Sequence, residues 1–137
     1  ALGDAVVDLS EADTTGAGSR GGCLHAMNGL FIANSATLRV TRCSTQGSQA
    51  GGGCTAAIGP FVARDSSSVV VAQCETMGAA ASGGGMIANE LVVSDRANLE
   101  VSDATTMNSE APGGCIDAFH MTINAAATVA ATLCATR

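Results

Sequence analysis

The chain has 137 residues, including 17 glycines and six cysteines but no Trp or Tyr, and its formal net charge is −6. This length suggests one domain, and the acidic charge with few aromatic residues disfavours binding to nucleic acid or to an anionic membrane surface. The apolar residues are mostly Ala and Val, so any core must be thin. No apolar run approaches the roughly 20 residues that a transmembrane helix needs.

A glycine cluster recurs along the chain at a nearly fixed interval. Gly-Gly-Cys ends at Cys23, Cys54 and Cys115, and a degenerate copy at Gly83–Met86 fills the gap between the last two. Successive clusters are 30 or 31 residues apart. A repeat of this length with glycine corners is typical of a solenoid, in which each coil stacks on the next.

In chain order, the repeat predicts one all-β solenoid of about 4.5 coils over residues 1–137. It divides into a partial coil at 1–20, coils at 21–51, 52–82 and 83–112, and a last coil at 113–137. Each coil contains a short alternating segment that predicts a strand with one buried face. Both ends lie in mid-coil without a cap, so we expect a segment of a longer repeat protein, or ends covered by a partner or another copy.

Three apolar columns keep the same step and predict which side chains stack inside the solenoid. The N-terminal Val7 and Leu9 fall below Leu38 and Val40, so the first residues form the second half of an earlier coil. The columns are Leu30, Phe61, Leu91 and Met121; Leu38, Val69, Leu99 and Val129; and Val40, Val71, Val101 and Ala131.

The cysteines fall in two columns, and pairing within each coil leaves no thiol over. The third coil lacks both members, with Gly85 and Ala104 in their places, as expected if the two positions are bonded to each other. Pairing along a column, or between Cys43 and Cys54, would strand several thiols; reduced cysteines acting as small core residues are the alternative. Disulfides would indicate an extracellular, cell-surface, periplasmic or lumenal location. The predicted bonds are Cys23–Cys43, Cys54–Cys74 and Cys115–Cys134.

A column of threonines also follows the repeat and ends each strand run at a corner. Gly or Asn, which tolerate positive φ, stands two residues after the first four threonines, at Gly16, Gly47, Gly78 and Asn108. A ladder whose hydroxyls satisfy one another is the favoured interpretation, and a solvent-facing rank that binds ice is the alternative. The column comprises Thr14, Thr45, Thr76, Thr106 and Thr136.

The first full coil resembles a known family of repeats. Gly-Gly-Cys-Leu-His-Ala at 21–26, followed by Phe-Ile-Ala-Asn at 31–34, is similar to the GGA(I/L/V)…FxxN repeats of chlamydial polymorphic outer-membrane proteins. Related cysteine-bearing GGC repeats occur in large surface proteins of protists. The resemblance covers residues 21–137 and implies a right-handed parallel β-helix associated with adhesion and surface display.

No set of side chains in the sequence has the composition and spacing that catalysis or metal binding requires. Asp65 and Asp95 share a column with Asn34, a pattern more typical of turns than of a general acid and base. We predict that His25 and His120 are solvent-facing turn residues without a nucleophile nearby. Without a C-x-x-C pair, a P-loop or an EF-hand, we expect no metal, no cofactor and no enzyme activity.

The sequence therefore predicts a non-enzymatic structural or interaction solenoid of the surface-display or adhesin kind, with a protein or glycan surface as its partner. One alternative is a peripheral accessory subunit docked on a large membrane complex and facing an oxidising lumen. Ice binding through the threonine column is another.

Overall fold

A computed structural model describes residues 4–107 and 114–137 and shows an all-β parallel solenoid of about four turns, without a helix in those residues. The predicted fold class is thereby confirmed. The predicted corner at Asn108 and the glycine Gly113 of the last cluster lie outside the described residues.

The described strands form two parallel sheets that share the coils. One sheet has the order β1-β5-β8-β10-β12, with β2, β6 and β13 beside it, and the other has β11-β9-β7-β3, with β4 pairing β7. The strands are β1 Val6–Ser10, β2 Asp13–Thr15, β3 Leu24–Ala26, β4 Leu30–Ile32, β5 Thr37–Thr41, β6 Ser44–Gln46, β7 Thr55–Ala63, β8 Ser68–Met77, β9 Met86–Val93, β10 Asn98–Met107, β11 Ile116–Ile123, β12 Thr128–Thr132 and β13 Ala135–Thr136.

The strand register reproduces the three apolar columns predicted from the repeat. Leu38 pairs with Val69 and Val69 with Leu99, while β1 places Val7 opposite Leu38. Leu30, Phe61, Leu91 and Met121 form the corresponding column of the second sheet. β8 and β10 alternate between buried and less buried residues, so one face of their sheet lines the core.

A bulge in β7 explains why the repeat measures 31 residues in some coils and 30 in another. The β7–β9 register shifts between Ala57 and Pro60, where β7 carries one residue more than β9. The side-chain amide of Asn89 donates to the Ile58 carbonyl oxygen that the bulge frees. A Cβ on Gly59 would lie 2.6 Å from the backbone carbon of Asn28, so this position requires glycine.

The core is narrow and consists mainly of small and β-branched side chains. Among the described residues, Phe61 is the only aromatic side chain that is fully buried, together with aliphatic residues of the columns. Glycine is required where adjacent coils meet most closely. A Cβ on Gly47, where φ is 146°, would overlap the Gly16 carbonyl oxygen. The missing aromatic bulk of the sequence therefore follows from the small cross-section of the coil.

Corners repeat as columns of positive φ, and only some of them are glycine. Gly16, Gly47 and Gly78 occupy the corner predicted after the threonines. Two further columns of positive φ contain non-glycine residues in every described coil. The side chains of the second column have no chemical property in common. The first is Asn34, Asp65, Asp95 and Ala125, and the second is Glu11, Arg42, Gln73, Asp103 and Leu133.

Candidate functional site

All six cysteines form disulfides, and every bond closes one coil as predicted from the sequence. The bonds are Cys23–Cys43, Cys54–Cys74 and Cys115–Cys134, with Cα–Cα distances of 5.7, 5.4 and 5.1 Å. Each bond joins a cysteine that immediately precedes a strand of one sheet to a cysteine midway along the same coil's segment of the other sheet. It therefore fixes the two sheets of one coil against each other. Cys54 and Cys74 are buried, whereas Cys134 is exposed.

The third coil closes at the same place without a covalent bond. Gly85 and Ala104 occupy the two cysteine positions, and Met86, which is fully buried, contributes its side chain to the core beside them. A Cβ placed on Gly85 would lie 3.3 Å from the Ala104 Cβ. The two backbones have therefore approached each other closely in this coil too.

The threonine column forms a ladder that lies mostly inside the solenoid. The register pairs Thr45 with Thr76 and Thr76 with Thr106, and all three are fully buried. The hydroxyls of Thr45 and Thr76 are 3.4 Å apart, and the Thr76 hydroxyl donates to the carbonyl oxygen of Gly83 at 3.3 Å. Only Thr14 and Thr136 in the outermost coils are exposed, so this column does not present the continuous solvent-facing rank that ice binding requires.

The stacked carboxylates serve the corners of adjacent coils. The Asp65 carboxylate accepts the backbone N–H of Asn34 at 3.0 Å, and the Asp95 carboxylate accepts that of Asp65 at 3.4 Å. These contacts hold the positive-φ residues of successive coils together, which is the turn chemistry predicted for this column. A surface ion pair at 2.8 Å between Arg42 and Glu11 links the second such column.

The histidine prediction was partly wrong. His25 and His120 are exposed, but they lie on β3 and β11 rather than in turns, at outward positions of the same sheet. The glycine clusters predict a turn that continues past them, but β3 and β11 begin one or two residues after the clusters. Both histidines therefore fall within strands. Within residues 4–107 and 114–137, we find no cluster of metal-ligating side chains and no cavity.

The main feature that the sequence analysis missed is an apolar outer surface on the sheet of β3, β4, β7, β9 and β11. We call the outward-pointing side chains of these strands the front face. Phe31, Val62, Val92 and Thr122 form one of its columns, between inward-pointing residues on either side. A signal was present, because Leu30–Ile32, Phe61–Ala63 and Leu91–Val93 are unbroken apolar runs, whereas a water-facing strand alternates.

Comparison with protein-family models, curated proteins and solved structures finds no match for this sequence. The β-solenoid implied by the resemblance to polymorphic outer-membrane-protein repeats is confirmed by the structure, and membership of that family stays a prediction. In the described part of the chain, no helix has the length and apolar character needed to cross a bilayer.

Proposed function

We propose that this chain is a non-enzymatic structural and interaction module of the surface-display kind, built for an oxidising compartment. The observation that carries the proposal is the covalent closure of individual coils by three disulfides. Disulfides persist in secreted and cell-surface proteins and in oxidising lumens, and they are rare in the reducing cytosol.

The shape of the molecule supports an interaction role. Parallel coils stacked at about 4.8 Å produce flat lateral faces, and the side chains on those faces are held in fixed register by the backbone ladder. A surface of this kind presents several residues from successive coils to a protein or glycan partner without reorganising. Cross-links within the coils preserve it where unfolding and proteolysis are hazards.

Cell-surface labelling tests the proposal directly. An antibody against the folded solenoid is applied to intact and to permeabilised cells of the source organism, and cell-surface proteins are modified with a membrane-impermeant biotin reagent. We expect labelling without permeabilisation, and we expect alkylation without reductant to leave all six cysteines unmodified. Labelling that requires permeabilisation, together with alkylated cysteines, would contradict the proposal.

A further inference from the structure

The front face exposes large apolar side chains on a lateral surface of the solenoid. Phe31 on β4 and Phe119 on β11 are 45% and 83% exposed, and Met27, which lies beside this face between β3 and β4, is 62% exposed. Val62 and Val92 are half-buried and share a column with Phe31. Phe31, Val62 and Val92 stand between two inward-pointing columns, so a coil stacked above or below would flank them without covering them. Exposed apolar side chains grouped in this way mark an interaction surface.

A twofold axis parallel to the strands would place the front faces of two copies against each other. A twofold axis parallel to the strands, running between β7 and β9, reverses the order of the coils while it keeps the strand direction. The first full coil then faces the last coil of a second copy, and β7 faces β9. Every column consequently meets its own reversed copy, which is the requirement for an isologous contact.

Under this operation, unlike and complementary residues meet at the edge of the face. His25, Ala56, Ile87 and Asp117 form one register column, so His25 of one copy faces Asp117 of the other, twice per pair. Within one chain these two residues lie three coils apart, about 14 Å, so they cannot bond to each other there. A hydrogen bond from the imidazole to the carboxylate would therefore join two copies.

The apolar residues match in the same way. Val62 faces Val92 of the second copy. Met27 faces Phe119, because Ala26 and Ala118 share one register column and Met27 and Phe119 are the residues that follow them. A methionine sulfur against an aromatic ring is a favourable contact.

The ionisable residues nearer the centre of the front face do not meet a like charge in the second copy. Glu90 pairs in register with His120 of the next coil in the same chain. In the second copy these two residues face Pro60 and Gly29, which carry no charge. The outer face of the other sheet is more highly charged, because Asp8, Arg39 and Glu100 stand along its central column.

We propose that the front face binds the front face of a second copy of this chain, with the coil order reversed. The contact spans four strands at about 4.8 Å and about nine residues at about 3.3 Å, hence about 1,100 Å² in total over both copies. This area lies at the low end for specific interfaces, so the dimer forms reversibly as concentration rises. The proposal is independent of the compartment proposed above, because association is measured on the purified chain.

Sedimentation velocity over about 1 µM to about 1 mM tests the proposal, since weak contacts of this size associate in that range. We expect a monomer–dimer equilibrium that Val62→Glu abolishes, because it places a carboxylate against Val92 of the other copy. Val70→Glu is the matched control, since Val70 is also half-buried and outward on the opposite sheet. Circular dichroism and thermal unfolding of each variant confirm that it is folded.

A charge exchange tests the predicted register. His25→Asp opposes two carboxylates at each symmetry-related pair, and we expect the dimer dissociation constant to rise about fivefold to tenfold. Adding Asp117→Lys to this variant should restore association, because Lys then faces Asp across the twofold axis. A monomer at every concentration, or a dimer that responds to Val70→Glu but not to Val62→Glu and His25→Asp, would overturn the proposal.

Discussion

Removal of the Cys54–Cys74 bond measures how much one disulfide contributes to the free energy of unfolding of the solenoid. Both cysteines change to Ala, because a single substitution would leave a reactive thiol beside two other disulfides. The bond closes a loop with a sequence separation of 20 residues, and the chain-entropy model gives about 3 kcal/mol of stabilisation for such a loop. Both side chains are buried, so loss of the two sulfur atoms adds a packing cost of about 1 kcal/mol.

The expected total is a loss of about 4 kcal/mol, which is a large part of the 5–15 kcal/mol typical of a folded domain. We nevertheless expect C54A/C74A to fold at 25 °C, because the third coil already closes over Gly85 and Ala104 without a bond. The unfolding temperature should fall by about 10–15 °C. Guanidinium unfolding followed by circular dichroism, without reductant, gives the free energy of unfolding.

The Cys115–Cys134 pair supplies a matched control. Its sequence separation is 19 residues, so the loop-entropy contribution is nearly the same, but Cys134 is exposed and its removal leaves little cavity. C115A/C134A should therefore lose about 3 kcal/mol, about 1 kcal/mol less than C54A/C74A. If both variants unfold within about 0.5 kcal/mol of the parent protein, the view that the bonds stabilise by constraining the unfolded chain is wrong.

Four single substitutions test the packing of adjacent coils, each by chemical denaturation. Gly47→Ala should cost about 3 kcal/mol, because its Cβ meets a backbone carbonyl, while Gly18→Ala, with φ 71° but open space, should cost about 1 kcal/mol. Ser67→Ala should stabilise by about 1 kcal/mol, since its buried hydroxyl has no hydrogen-bond partner; a loss would show that the hydroxyl is satisfied. Thr76→Val should cost about 1–2 kcal/mol by breaking the hydroxyl ladder, and an unchanged stability would remove the ladder as a stabilising feature.

The register was predictable because a solenoid turns a one-dimensional repeat directly into contacts. Once Leu38, Val69 and Leu99 fall at one step, stacking the coils places them in one column, and the same step places the cysteines in two columns. The glycine corner after the threonines was predictable for a related reason. A backbone carbonyl of the adjacent coil occupies the space of a side chain at Gly47 and Gly78, so only glycine fits at these two positions.

Other corners were not predictable from residue type. Arg42, Gln73 and Asp103 all adopt positive φ, although Arg and Gln have no preference for it. The left-handed conformation costs an L-residue about 1–2 kcal/mol, and the paired strands on both sides of each corner impose it regardless of the side chain. The front face was missed for a different reason. Its strands are apolar on both faces, so they lack the alternation that marks the strands of the other sheet in the sequence.

The third coil shows that the two sheets of a coil can be held together at the cysteine positions by a packed side chain instead of a disulfide. Beside the missing cysteines stands Met86, which is fully buried, where the neighbouring coils have the smaller Thr55 and the partly exposed Ile116. A Cβ on Gly85 would lie 2.5 Å from Val101 Cγ1 and 2.8 Å from the Cys115 carbonyl oxygen, so the neighbouring atoms already fill the space of a cysteine side chain. The bond acts mainly on the unfolded chain, whereas the buried methionine stabilises the folded core. The third coil therefore closes over Gly85 and Ala104 without a covalent bond, and the buried Met86 side chain packs beside this closure.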